Sequence, residues 1–139
     1  MKTVVIIAEY NPFHNGHAYH IRKAKEHTGA DYCIVVMSGD FVQRGAPALM
    51  NKYKRTQIAL TSGADLVLEL PVYYALSSAE YFAGGAVALL DKLGIVDTLC
   101  FGSECGDTDL LMTFAKLLLH EDKVFKQTLD RNLRMGHAY

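Results

Sequence analysis

Short apolar runs rich in β-branched residues alternate along this chain with longer segments of helical period. The runs predict four strands, at residues 3–8, 32–37, 66–70 and 98–101. The segments of helical period predict helices at about residues 17–27, 52–62, 78–93, 107–119 and 122–133. The second strand is almost continuously apolar, which is typical of a strand buried on both faces. This βαβαβαβα order predicts an α/β fold, a Rossmann-like parallel sheet flanked by helices.

The first predicted helix has a clear inward face. At about 100° per residue, Ala18, Ile21, Ala24 and the stem of Lys25 fall on one arc. Tyr19 lies off the centre of that arc, as does His20. We therefore expect the helix to pack on the sheet through its small and aliphatic residues.

Composition narrows the class of protein. A length of 139 residues suits one ordinary domain, and we predict a single α/β domain over residues 1–139. The 14 basic and 15 acidic residues give a net charge of −1, which excludes a globally basic nucleic-acid binder. Three cysteines, an odd number, argue against a disulfide scaffold and for a reducing compartment. The first apolar run stops at Glu9, too short for a signal or a membrane span, so we predict a cytoplasmic chain without a membrane partner.

The sequence His14-Asn15-Gly16-His17 stands directly after the first predicted strand and at the start of the first helix. Ligands of open parallel sheets bind at the carboxyl ends of strands, where helix N-termini offer free N–H groups to phosphates. Gly16 lacks the Cβ that would block a close phosphate, and the two histidines add imidazole donors for phosphoryl charge. We therefore predict that His14 and His17 act on a bound nucleotide.

The sequence also allows two other interpretations of these histidines. Both could be surface residues of a turn, which composition alone would favour, but the strand before and the helix after reverse that preference. His14, His17 and His20 also recur at a spacing of three residues, which on a helix can share a metal. Because His14 precedes the helix and no cysteine is close in sequence, we predict no metal ligands here.

A second pattern is electrostatic. No acidic residue occurs from position 41 to position 64, whereas Arg44, Lys52, Lys54 and Arg55 all fall there. The pattern fits either a solvated helix face or a patch for a triphosphate or an RNA backbone, with Tyr53 as a stacking platform. Arg44 follows a strand end, so we favour it for substrate or phosphate contact.

The end of the fourth strand carries Gly102-Ser103-Glu104. A glycine at a carboxyl strand end allows an adenine or ribose to approach the backbone closely. Asp107, three residues before Leu110, is expected to cap the next helix. Both roles are compatible in one turn.

Longer strings carry a family resemblance. They are the segment from Glu9 to His17 (EYNPFHNGH), residues 37–45 (MSGDFVQRG), residues 62–71 (SGADLVLELP) and residues 101–104 (FGSE). Together they resemble the bacterial tRNA(Met) cytidine acetate ligase family, within the nucleotidyltransferase superfamily that carries the H-x-G-H motif. The resemblance implies a nucleotidyltransferase-type fold and an enzyme that uses ATP and Mg²⁺ to activate acetate as acetyl-adenylate. It further implies acetyl transfer to N4 of the wobble cytidine of elongator tRNA(Met).

The resemblance also implies site residues. The implied ATP contacts are Ile7, Ala8, Glu9, Tyr10, Asn11, Pro12, Phe13, His14, Asn15, Gly16, His17, Ala18, Tyr19, His20 and Gly102. Further ATP contacts of the family, an Asn and an Arg, are expected beyond position 139, so we predict that this chain is the N-terminal part of a longer protein. We expect the 139-residue chain to fold alone and to form acetyl-adenylate more slowly than a longer chain.

Two alternative functions stay open from the sequence. One is an adenylyltransferase acting on a small phosphorylated cofactor precursor, which would share the H-x-G-H motif and the fold. The other is a non-catalytic nucleotide- or RNA-binding module. Pyrophosphate release with acetate, compared with a phosphorylated precursor, separates the two enzymes, and binding without turnover indicates the module.

Overall fold

The structure is a computed structural model that describes residues 1–120 and 123–136, except for the side chain of Arg44. It divides into two compact units, one spanning Met1–Gly102 and a second that begins at Ser103. The single domain over residues 1–139 stays a prediction.

The first unit is built on a four-stranded, all-parallel sheet in the order β3-β2-β1-β4. The strands are β1 (Thr3–Ala8), β2 (Tyr32–Ser38), β3 (Leu66–Leu70) and β4 (Thr98–Leu99). β4 is shorter than predicted. The Cys100 N–H still donates to the Val5 carbonyl at 2.8 Å, but the chain leaves the sheet at Phe101 to line a cleft. The parallel sheet predicted from the sequence is confirmed.

Helices cover both faces of this sheet. They are α1 (Asn15–Thr28), α2 (Lys52–Thr61), the short α3 (Val72–Ala75) and α4 (Ala79–Leu93), with a 3-10 turn at Gln43–Gly45. One face of the sheet packs against α1 and α2 through Ile21, Ala24 and Ala59. The other face packs against α3 and α4 through Ala75, Ala86 and Leu90. Alternate side chains of β1 and β2 contact the two sets. Residues of β1 and β2 therefore divide between two cores, which is why β2 is apolar at every position from Cys33 to Met37.

The helices differ from the prediction by more than one residue in two places. α1 begins at Asn15 because His14 acts as its N-cap. α3 was not predicted, since four residues directly after Pro71 are too few to show a helical period. Both differences arise at caps and turns, where hydrophobic period carries no signal.

The second unit contains α5 (Thr108–Leu119) and α6 (Lys123–Arg134). Asp107 caps α5 as predicted, since its carboxylate accepts the Leu110 N–H at 2.9 Å. The predicted start of the last helix, Asp122, lies outside the described residues. Within residues 1–120 and 123–136, no helix is long and apolar enough to cross a membrane.

Candidate nucleotide-binding site

An open cleft of about 460 Å³ lies in the first unit, at the carboxyl end of β1. It is lined by Ile6, Ile7, Ala8, Glu9, Tyr10, Asn11, Pro12, His14, His17, His20, Phe101 and Gly102. In the sheet, β2 lies next to β1 on one side and β4 lies next to β1 on the other, so the order of strands changes direction at β1. Parallel α/β sheets bind ligands at this change of direction.

Most of the residues implied as ATP contacts line this cleft. The exceptions are Phe13, Asn15, Gly16, Ala18 and Tyr19, which do not line it. A Cβ built on Gly102 would meet no atom within 4 Å, so a ligand has open space beside that backbone. The structure therefore brings together the β1–α1 turn and the segment after β4, as the sequence predicted, while the individual ligand contacts stay predictions.

The hydrogen bonds of His14 and His17 assign their tautomers. The Gly16 N–H donates to Nδ1 of His14 at 3.1 Å, and the His14 N–H donates to Nδ1 of His17 at 3.2 Å. A neutral imidazole that accepts at Nδ1 carries its proton on Nε2. Both histidines therefore cap the helix with one nitrogen and keep Nε2–H as a donor. α1 has no acidic residue in its first turn, so its positive end is unopposed.

Gly16 is required by the histidine beside it. A Cβ at this position would lie 2.9 Å from Cε1 of His14 and 3.0 Å from its Nδ1. The ring of His14 folds back over the helix terminus, and only glycine leaves room for it. This is a second reason for a glycine at this point, in addition to access for a phosphate.

Aromatic packing fixes the ring of His17. It stacks on His14 with centroids 3.7 Å apart, while Tyr10 and Phe13 contact it at 4.8 and 5.4 Å. Tyr10 reaches this position from a left-handed backbone (φ 51°) and is buried. Burial, with smaller contributions from His14 and then His20, lowers the pKa of His17. His17 is therefore a neutral Nε2–H donor at pH 7.

His20 lies further along α1 and contacts the β4 side of the site. Its Nε2 is 3.5 Å from Sγ of Cys100. Burial lowers the pKa of His20 and raises that of Cys100, so both groups are neutral at pH 7. Within the described ranges, no group of three or more His, Cys, Asp or Glu side chains could hold a metal ion.

The predicted basic patch is corrected at one residue. Arg55 is fully buried, and its guanidinium donates to backbone carbonyl groups, so it is not part of a surface for RNA or phosphate. Lys52 is held by Glu69, with Nζ 2.7 Å from Oε2. Lys54 is exposed, and its Nζ contacts the Gln57 amide oxygen at 3.3 Å. The side chain of Arg44 lies outside the described part of the structure.

Sequence reasoning missed the internal role of Arg55, although a signal was present. Arg55 and Ala59 are four residues apart in α2 and are the two buried residues of that helix. Helical spacing places them on one face, so the core position of Ala59 indicated an inward Arg55. The prediction of a surface role for Arg55 followed its charge and not its position on the helix.

Comparison with known proteins agrees with this geometry. The sequence model of the HIGH nucleotidyl transferase family matches residues 1–139. A protein of Clostridium kluyveri named tRNA(Met) cytidine acetate ligase is 55% identical over 139 residues, which is 100% of this chain and 34% of that protein. A protein of the same name from Thermoanaerobacter sp. (strain X514) is 58% identical over 134 residues, 96% of this chain and 33% of its own length.

Solved structures agree with the sequence relatives. The crystal structure of Thermotoga maritima TmcAL bound with alpha-thio ATP superposes with a TM-score of 0.90 at 46% identity. The superposition covers 99% of this chain and 33% of the T. maritima chain. The chain thus spans about a third of the length of the curated relatives it matches.

Fold and site together define an α/β protein with the nucleotidyltransferase-type fold, with His14 and His17 in a cleft after the first strand. The chain belongs to the HIGH nucleotidyl transferase family.

Proposed function

We propose that this chain forms the ATP-binding part of a tRNA(Met) cytidine acetate ligase. The observation that carries the proposal is the pair of Nε2–H donors of His14 and His17, two residues at the start of α1 that line the cleft after β1. The relatives that bear this name match the whole chain or nearly all of it at 55–58% identity, and the related T. maritima structure holds an ATP analogue. These similarities favour this function over the adenylyltransferase and the non-catalytic module.

The proposed reaction has two steps. A carboxylate oxygen of acetate attacks the α-phosphorus of ATP, the bond to the bridging oxygen of the β-phosphate breaks, and pyrophosphate leaves with the bond electrons. N4 of the wobble cytidine of elongator tRNA(Met) then attacks the acetyl carbonyl carbon, AMP leaves, and N4 loses a proton. The first step builds negative charge on the phosphoryl oxygens, so it needs donors held in place beforehand.

His14 and His17 supply such donors. Their Nδ1 atoms are occupied by backbone N–H groups, so their rings are oriented before the nucleotide arrives. A donor that need not reorient as charge develops stabilises the transition state more than a mobile one. Glu9, Tyr10 and Gly102 complete the walls of the proposed nucleotide pocket.

Mg²⁺ accompanies ATP in this proposal as an ion bound by the phosphates. It would supply positive charge to the departing pyrophosphate. The described residues hold no cluster of side-chain ligands for it, and the roles given to His14 and His17 do not depend on it.

The proposal is tested by acetate-dependent ATP–pyrophosphate exchange together with calorimetry of ATP binding. We expect this chain to bind ATP, and we expect exchange to be faster in a chain extended past Tyr139, because the resemblance places two further ATP contacts there. Exchange driven by a phosphorylated cofactor precursor and not by acetate would establish the adenylyltransferase instead. Binding of ATP without exchange in either chain would indicate a non-catalytic module.

A further inference from the structure

The loop that joins β2 to α2 is tethered to the turn that begins the nucleotide site. This β2–α2 loop comprises residues 39–51 and includes Arg44, the predicted substrate contact. Glu9 accepts the Gln43 N–H at Oε1 over 2.8 Å, and Asn11 accepts the Leu49 N–H at Oδ1 over 2.7 Å. Both acceptor residues line the cleft. Their side chains therefore act on the loop from inside the nucleotide site.

Arg55 joins the two ends of the same loop to the same turn. Its Nη1 donates to the Glu9 carbonyl at 2.7 Å and to the Ser38 carbonyl at 3.1 Å. Its Nε donates to the Met50 carbonyl at 2.9 Å, and its Nη2 donates to the Gly39 carbonyl. The planar fork of a guanidinium matches several acceptors in one fixed arrangement, which an ammonium on a flexible stem cannot do.

The loop also holds itself together between these anchors. The Val42 N–H donates to the Ala46 carbonyl at 2.9 Å, and the Ala48 N–H donates to the Asp40 carbonyl at 2.9 Å. A loop closed by its own hydrogen bonds moves as one body. The tethers from Glu9, Asn11 and Arg55 consequently set the position of the whole loop relative to the β1–α1 turn.

We propose that Glu9, Asn11 and Arg55 are positioning residues that hold the β2–α2 loop against the β1–α1 turn, so that the wall of the nucleotide cleft formed by Glu9 and Asn11 keeps its position only while the loop is docked. The inference rests on the proposed function and deepens it. It gives the Glu9 and Asn11 side chains a role in placing the loop rather than in touching phosphate, which suits a carboxylate that would repel a triphosphate. It also explains why a guanidinium is buried among carbonyl groups at this point of the fold.

A substitution outside the cleft tests whether docking of the β2–α2 loop affects nucleotide affinity. Gln43→Pro removes the N–H that Glu9 accepts, together with the glutamine side chain. Gln43 opens the 3-10 turn, and Val42 before it is extended (φ −108°, ψ 178°), so proline fits the backbone. Gln43→Ala keeps the N–H and is the matched control. We expect Gln43→Pro to weaken ATP binding by about five- to tenfold, and Gln43→Ala to leave it unchanged, at the same melting temperature.

Amide hydrogen exchange at Leu49 tests the second tether without nucleotide. We expect Asn11→Ala to speed exchange of this amide by about tenfold and Asn11→Asp, which keeps an oxygen acceptor, to preserve its protection. Unchanged exchange in Asn11→Ala, or unchanged ATP affinity in a folded Gln43→Pro chain, would overturn the inference. An unaltered chain that binds no ATP overturns the proposed function itself, whereas the Leu49 exchange still decides whether the tether holds.

Discussion

The His14 backbone N–H donates to Nδ1 of His17, and the rings of these two residues stack with centroids 3.7 Å apart. Because His14 in turn accepts the Gly16 N–H, the two histidines cap the helix reciprocally. The same contacts leave Nε2–H as the free donor on each ring. Helix capping thus uses one edge of each imidazole and leaves the opposite edge for the proposed contact with phosphate.

Removing the His17 ring should weaken nucleotide binding. His17→Ala deletes one donor and the acceptor for the His14 N–H, so we expect ATP affinity to fall by roughly ten- to a hundredfold. His27→Ala, an exposed residue in the last turn of α1, is the control and should bind as the unaltered chain does. Isothermal titration calorimetry measures both. Equal affinity in the two variants would return His17 to the class of surface residues of a turn.

Acid should destabilise the fold through His17 and His20. Burial lowers the pKa of both below the usual value of about 6.5, so the unfolded chain binds more protons than the folded one as the pH falls. Stability is therefore expected to be constant above about pH 7, to decline as the pH falls below about 6.5, and to level off once the folded histidines are protonated. Urea unfolding from pH 7.5 to pH 5 measures this slope. The double variant His17→Gln and His20→Gln should show a smaller slope.

Arg55 should matter for stability far more than its neighbour in sequence. Arg55→Met leaves the carbonyl groups of Glu9, Ser38, Gly39 and Met50 without their buried partner, and we expect a loss of about 3–5 kcal/mol in the free energy of unfolding. Lys54→Met changes an exposed lysine of the same helix and should cost less than about 0.5 kcal/mol. Denaturant unfolding of the two variants compares them directly. Similar losses in both would contradict a buried anchoring role.

Two adjacent glycines in α4 should respond oppositely to alanine. A Cβ on Gly85 would lie 2.2 Å from Cγ of Tyr74, whereas a Cβ on Gly84 would meet no atom within 4 Å. Gly84→Ala should therefore stabilise the chain by about 0.5–1 kcal/mol, the usual gain in a helix interior. Gly85→Ala should destabilise it by about 1–3 kcal/mol through overpacking. Thermal unfolding gives the two signs, and a gain at Gly85 would show that Tyr74 moves freely.

Of the lysines predicted to contact RNA, Lys54 is the one that should alter the salt dependence of tRNA binding. Lys54 is exposed and its Nζ contacts a neutral amide oxygen, that of Gln57, whereas the Nζ of Lys52 is paired with the carboxylate of Glu69. If Lys54 contacts a phosphate, Lys54→Gln should reduce the log–log slope of affinity against salt by about 0.7–0.9. Lys52→Gln should reduce it by less. Filter binding of tRNA over a salt series gives both slopes, and a slope unaffected by Lys54→Gln would leave this helix face as solvated surface.

The sequence alone was sufficient for the sheet, for the helices that cover it and for the position of the nucleotide turn. The continuous apolar run in residues 32–37 and the 3.6-residue period of Ile21 and Ala24 are both patterns of neighbours along the chain. His14 and His17 were located for the same reason, because a strand end followed by a helix start is a local pattern.

Only the tertiary structure decided how Arg55, Glu9 and Asn11 are used. Glu9 bonds an amide 34 residues away and Asn11 one 38 residues away, and Arg55 meets carbonyl groups from two strand ends. Such contacts depend on the register of β1 against β2 and on the path of the β2–α2 loop, which no local pattern encodes. The residue type of an arginine or a glutamate does not determine whether its side chain faces solvent or bonds to backbone groups. Its partners are determined only when the strands assemble.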